Sequence, residues 1–187
     1  MDTEQFYQMR LHRDIFESQN IQRDTNFSFK VIDSNNPLHI RDNISDLKFI
    51  CKSISKELSE WKDKPALDIC LERLNSISSL FLFFHKDFNK AIGWGWFSDT
   101  FTYDWINEVH PLPTENSHYL GGTYIQKDLN LPPSTGFQLY YQAFSYLFSK
   151  KEWLYGYMDN WNKAPIVICH KLGGEQYNFI EDYGREY

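Results

Sequence analysis

Residues 153–174, WLYGYMDNWNKAPIVICHKLGG, decide how the chain is read. Trp153, Leu154, Tyr155 and Tyr157 make an aromatic and aliphatic run that suits a strand covered on both faces. Asn160 and Asn162 interrupt it, because their side chains compete for backbone hydrogen bonds and favour turns and helix starts. Ala164–Lys171 is a short apolar stretch expected to be one helix, and Gly173 and Gly174 supply the positive φ that ends it. A second unit of this kind lies upstream, over 118–150: a strand from His118, a Pro/Ser/Thr/Gly turn and a long apolar helix. Two successive strand-turn-helix units can set a helix N-terminus beside a strand end, which suits a phosphorylated ligand.

Working toward the N-terminus, Leu80–Phe84 and Ala91–Phe97 read as two strands of a hairpin joined at Lys86–Lys90. Pro65 opens a helix with Ile69, Cys70, Leu74 and Ile77 inward, and Ser45 or Asp46 caps another with Leu47, Ile50, Cys51, Ile54, Leu58 and Trp61 on one face. Phe27–Ile32 alternates as a strand, stopped by the residues from Asp33 to Pro37. Residues 2–18 are expected to form a helix, with Phe6, Met9, Arg13 and Phe16 on one side. Thr100–Ser117 follows neither period and carries Phe101, Tyr103, Asp104, Trp105, Glu108, His110, Pro111 and Pro113. An insertion of that composition suits a pocket wall or a dimer contact.

The 187 residues, 42% hydrophobic and 18% aromatic, suit a single domain over 1–187 with a sizeable core. A net charge of −6 without a basic cluster argues against nucleic acid as partner. Cys51, Cys70 and Cys169 are odd in number and scattered, which fits reduced thiols in the cytoplasm and neither a disulfide framework nor a metal site. The first residues are polar and lack an apolar leader core, so no signal peptide is expected. Leu80–Phe84, the longest apolar stretch, is too short to cross a bilayer, and no membrane partner is expected.

The order and spacing of the two units resemble the second half of the GNAT acyltransferases, which use acyl-CoA to acylate amines. In that family a strand leads into an R/Q-x-x-G-x-G/A loop and a helix, and an N-x-x-A segment ending in Y-x-K-L-G-F follows. Asn162, Lys171, Leu172 and Gly173 fall at matching intervals, and Gly136 with Leu139 matches the end of the loop. The likeness covers about residues 80–187. Leu131 stands for the Arg/Gln, Ser134 for the first glycine, Cys169 for the tyrosine acid and Gly174 for the phenylalanine. The resemblance implies an α/β (α+β) fold: a central mixed, mostly antiparallel twisted sheet, flanked by helices, with splayed central strands.

It also implies where acyl-CoA would bind. Ser134, Thr135, Gly136 and Phe137 retain the amides that would meet the pyrophosphate, whereas Pro132 and Pro133 have none. The alternative use of Ser134 is as a plain helix cap. Gly121 and Gly122 fit a bulge or a close backbone approach, and Thr123, Tyr124, Ile125, Gln126 and Lys127 would line the pantetheine arm, with Asn162 beyond. His118 is the candidate base, since histidine titrates near neutrality, with His110, Glu108 and Glu115 as rivals. Cys169 is the candidate acid, or else a small core residue. Trp94 and Trp96 share one strand face, where they either stack on an acceptor or pack the core.

The acceptor implied by the resemblance is a primary amine, in its narrowest form the amino group of a dTDP-linked 3-amino-3,6-dideoxyhexose of surface-glycan synthesis. Trp94, Tyr103 and Trp105 would stack on it, and Arg10, Arg13 or Lys127 would meet its phosphates. A homodimer is expected by the same likeness. The alternative is a GNAT-fold module that has lost catalysis and serves in binding or assembly. An esterase or thiol enzyme finds no support, because no G-x-S-x-G elbow is present.

Overall fold

The structure, a computed structural model, describes residues 4–32, 45, 78–98, 116–126 and 129–182. The helices expected over 46–61 and 65–77 lie outside those residues, as do Cys51, Cys70, Lys127 and the insertion with Tyr103, Trp105, Glu108, His110 and Glu115. The first half of the described chain holds β1 (Glu4–His12), α1 (Arg13–Ser18), β2 (Phe27–Ile32), β3 (Ser78–His85) and β4 (Gly93–Ser98). The second half holds β5 (Ser117–Ile125), α2 (Thr135–Phe148), β6 (Trp153–Asp159), α3 (Lys163–Lys171) and β7 (Glu175–Asp182). All seven strands join one sheet in the order β2-β3-β4-β5-β6-β1-β7. Every neighbouring pair is antiparallel except β5 and β6, which run parallel.

The N-terminal segment corrects the expectation of a helix over 2–18. Glu4–His12 is a strand, inserted between β6 and β7 and antiparallel to both, and only Arg13–Ser18 is helical. The spacing of Phe6, Met9 and Phe16 mimics a helical face, but a period of two runs beneath it: Met9 and Leu11 enter the helix-covered core while Gln8 faces the other side. Ladders with two neighbours outweigh the local preference, as commonly happens for strand segments.

The helix-covered face of the sheet carries the main core. Met9, Phe81, Phe83, Phe97, Leu120, Leu154 and Met158 from the strands pack under Phe16 of α1, Leu139, Phe144 and Leu147 of α2, and Ile166 and Cys169 of α3. Side chains of α2 also hold the irregular segment before β2. Tyr141 Oη donates to Ile21 O, Gln138 Oε1 accepts from Asp24 N–H, and Gln142 Nε2 donates to Asp24 O and Phe27 O. These bonds meet backbone groups that no ladder satisfies.

The glycine stop after α3 forms at Gly173, while Gly174, also expected at positive φ, does not adopt it. Gly173 has φ +91°, its N–H bonds to His170 O, and Gly174 N–H bonds to Cys169 O at 2.8 Å. This is a Schellman closure, and it requires a residue that tolerates positive φ. A side chain at Gly173 would also stand 2.7 Å from Ile15 of α1, so the turn is where α1 seats against α3.

Candidate active site

The site is built on the strand pair β5 and β6. Their parallel pairing runs from Ser117↔Trp153 to Leu120↔Gly156 and stops. At that apex the backbones come close, and a Cβ on Gly156 would lie 2.9 Å from Leu120 Cβ. Beyond it β5 continues to Ile125 paired only with β4, and β6 continues to Asp159 paired only with β1. The strands therefore diverge into a wedge, which is the expected splay. Antiparallel pairing with β4 occupies alternate backbone groups of β5, and those between them face the gap.

The expected bulge is present on β5. Gly95↔Thr123 and Phe97↔Leu120 are partners, so Trp96 opposes both Gly121 and Gly122. The two glycines meet different surroundings. A Cβ on Gly121 would sit 2.8 Å from Trp96 Cβ and 3.0 Å from Trp96 O, whereas one on Gly122 would meet nothing within 4 Å.

On the helix side of the wedge, three polar side chains from three elements draw together. Thr123 Oγ1 of β5 is hydrogen-bonded to Tyr140 Oη of α2. Burial pushes the Tyr140 phenol up to about 12, the Thr123 bond opposes this, and nearby Cys169 of α3 adds to it. Burial likewise raises the Cys169 thiol to about 12. Tyr140 is a member that sequence reasoning missed, because an apolar helix gives no signal for which tyrosine points at a strand edge.

At the mouth of the wedge stands the N-terminal turn of α2. Gly136 packs between Ile125 of β5 and Ile168 of α3; its absent Cβ would lie 3.2 Å from Ile168 Cδ1. Ser134 is exposed and stands at the N-cap position, its O accepting from Gln138 N–H at 2.9 Å, while its side chain makes no capping bond. Thr135 turns inward, its Oγ1 donating to Pro132 O at 2.6 Å. Among the described residues no acceptor serves the N–H groups of Gly136 and Phe137. Asn162, at the start of α3, also leaves its side chain out of any capping bond.

The remaining candidates scatter. Tyr124 points to the face away from α1, α2 and α3 and stacks on Trp94, ring centroids 5.8 Å apart. Trp94 and Trp96 are both buried. Gln126 is buried, with its N–H bonded to Ile92 O. His118 is 6% exposed and stands two residues before the apex, on the helix-covered face with Leu120. Arg10 and Arg13 are engaged by carboxylates, Glu175 at 2.6 Å and Glu152 at 3.4 Å.

The opposite face of the sheet, beside the same apex, carries an aromatic tray that the sequence half disclosed. Trp153, Tyr155 and Tyr157 share a face by strand alternation. Tyr119 of β5 and Tyr177 of β7 join them: Tyr119–Tyr155 at 6.5 Å, Trp153–Tyr155 stacked at 5.8 Å, Tyr155–Tyr177 edge-on at 6.0 Å. Gln8 of β1 is buried among them, donating to Tyr157 Oη and accepting from Asn178, both at 2.8 Å. Burial raises the phenols of Tyr155, Tyr157 and Tyr177.

A seven-stranded mixed sheet, splayed at its one parallel pair with a helix N-terminus at the mouth, has counterparts among solved structures. A tandem GNAT protein from the clavulanic acid biosynthesis pathway superposes with TM-score 0.60 at 13% identity, over 100% of this chain and 56% of that one. This is a GNAT fold. The aminoglycoside N-acetyltransferase AAC(6')-Iy, solved with a bisubstrate analogue, gives a TM-score of 0.54 at 12% identity over 87% of this chain and 100% of that one. The dodecameric spermidine N-acetyltransferase of Vibrio cholerae gives 0.52 at 16%, over 80% of each. The chain spans only 50–60% of the length of three longer GNAT-fold and uncharacterised matches. No protein-family model matches the sequence, and no curated protein does.

Proposed function

We propose that this chain is an acyl-CoA-dependent N-acyltransferase that moves an acyl group from a CoA thioester to a primary amine. The observation that carries the reading is the wedge between β5 and β6: an open strand edge that ends at a helix N-terminus with unspent donors. An extended amide-bearing arm fits such an edge as an added strand does, along Thr123–Ile125. The N–H groups of Gly136 and Phe137 and the Ser134 hydroxyl would hold a pyrophosphate, aided by the helix dipole. Asn162 would meet the arm from the far side.

Acyl-CoA supplies an activated carbonyl and a thiolate leaving group. The protein contributes alignment, exclusion of water and handling of the proton that passes in net from amine to thiolate. Burial keeps Tyr140 and Cys169 protonated at neutral pH, so a proton is held on the helix side of the wedge. His118 is the base in this reading. Its narrowest form takes a dTDP-linked 3-amino-3,6-dideoxyhexose as acceptor, with the enzyme acting as a homodimer in the cytoplasm.

A catalytically silent GNAT-fold module is the second reading, favoured by Pro132 and Pro133, which remove two donors from the loop. Thermal shift and calorimetry with CoA and acetyl-CoA separate the two. A ligand at a thousand times its Kd stabilises by about 4 kcal/mol, so millimolar CoA on a micromolar site gives a large shift. No shift at millimolar CoA selects the silent module.

A further inference from the structure

Resting on the N-acyltransferase reading, we infer that the departing CoA sulfur takes its proton from the hydroxyl of Thr123 on β5, held in place by Tyr140 of α2, rather than from Cys169 of α3. The residue at the place of the family's tyrosine is thereby relieved of the task, and a strand and a different helix take it over.

The register puts Thr123 where the sulfur arrives. An arm that enters at the Gly136 turn, beside Ile125, and runs along β5 toward the apex at Leu120 brings its far end between those two residues. Within Leu120–Ile125, Thr123 carries the hydroxyl that faces α2, whereas Tyr124 points to the other face. The Thr123 side chain is also oriented. Its methyl lies toward β4, where a Cβ on Gly95 would be 3.1 Å from Thr123 Cγ2, and its Oγ1 meets Tyr140 Oη on the helix side. With Tyr140 donating to Oγ1, the Thr123 proton is left for a third atom, and Thr123 itself is only half-buried, on the strand edge that borders the wedge. Cys169 is placed differently. Its thiol is 2% exposed, and a Cβ on Gly174 would collide with Sγ, so it is packed beneath the closing turn of α3.

The acidities suit the transfer. Burial raises both the Tyr140 phenol and the Cys169 thiol to about 12, and the same surroundings act on a thiol released beside them, which brings it into the range of the phenol. As the C–N bond forms, the C–S bond breaks with its electron pair on sulfur. Sulfur takes the Thr123 proton and Thr123 takes the Tyr140 proton. The proton given up by the amine nitrogen restores the phenol, so the net passage is from nitrogen to sulfur. Thr123 is the catalytic residue here, and Tyr140 acts through it as a positioning residue.

The test uses the full chain with hydroxylamine, a small primary amine, and either acetyl-CoA or its selenoester analogue, reading release of thiol or selenol. A selenolate is a much weaker base than a thiolate and leaves without a proton. Thr123→Val and Tyr140→Phe each remove one hydroxyl and keep the shape, with fold and binding checked by thermal unfolding and the CoA-induced shift. With the thioester, Thr123→Val should lower kcat about tenfold or more at unchanged KM, and Tyr140→Phe by less. With the selenoester both should approach the parent rate, and the double variant should be no slower than Thr123→Val alone. A loss equal for the two esters marks a structural role and overturns the inference. So does undiminished thioester turnover in Thr123→Val, or a thioester-only loss in Cys169→Ala that Thr123→Val lacks. Those results leave the transferase reading standing. No CoA-induced shift, or no turnover above the uncatalysed rate, overturns that reading and this inference with it.

Discussion

Gly121 and Gly122 stand side by side in the β5 bulge and answer to different constraints. The first is pressed against the Trp96 backbone and the second faces open space. Gly121→Ala is expected to destabilise the fold by about 1–3 kcal/mol through overpacking. Gly122→Ala should leave stability within about 0.5 kcal/mol, and equilibrium denaturation of the two variants tests this directly. His118 poses the same kind of question for chemistry. If it is the base, His118→Ala should remove the acidic limb of the kcat/KM profile, and near-normal turnover at every pH would dismiss it. The sequence suggested His118 because of its residue type and strand. Which sheet face it occupies depended on where the bulge shifts the alternation.

At the scale of elements, the second half of the chain was legible because its signals are local. The run Trp153–Asp159, the Asn turn, and the Gly173-Gly174 stop each follow from neighbouring residues, and the observed bounds of β6 and α3 differ from expectation by a residue or two. β1 was illegible for the converse reason: its partners are β6 and β7, and no window around Glu4–His12 contains them. The tray suffered with it. Tyr155 and Tyr157 could be placed on one face, but Gln8 and Arg10 were assigned to a helix and so could not be set beneath them. A strand with two neighbours cannot spare an amide, so Met9→Pro should cost about 3 kcal/mol or more, read as a lower urea midpoint. A helix start would accept proline far more readily.

For the molecule as a whole, burial of acids that stay protonated ties stability to alkaline pH. Tyr140 and Cys169 titrate near 12 when folded, against 10.0 and 9.0 for their reference values. Above pH 9 the unfolded chain releases these protons while the folded chain keeps them. The unfolded state then binds fewer protons, and stability falls as pH rises toward 12. The expected slope is on the order of 1.4 kcal/mol per pH unit for each group. Urea melts at pH 8, 9.5 and 10.5 should show the decline, and Cys169→Ala should remove the part between pH 9 and 10. The seat of β1 has a further consequence, in time rather than in space. Trp153 follows His12 in the chain by 141 residues, yet the two are register partners. During synthesis at about 5–20 residues per second, this strand waits for several seconds or more before either neighbour exists. Until it docks, β6 and β7 each present a bare edge, and the wedge has no outer wall. Maturation of the cleft is therefore timed by the return of a strand made well before its neighbours, and a second copy of that strand is its natural competitor.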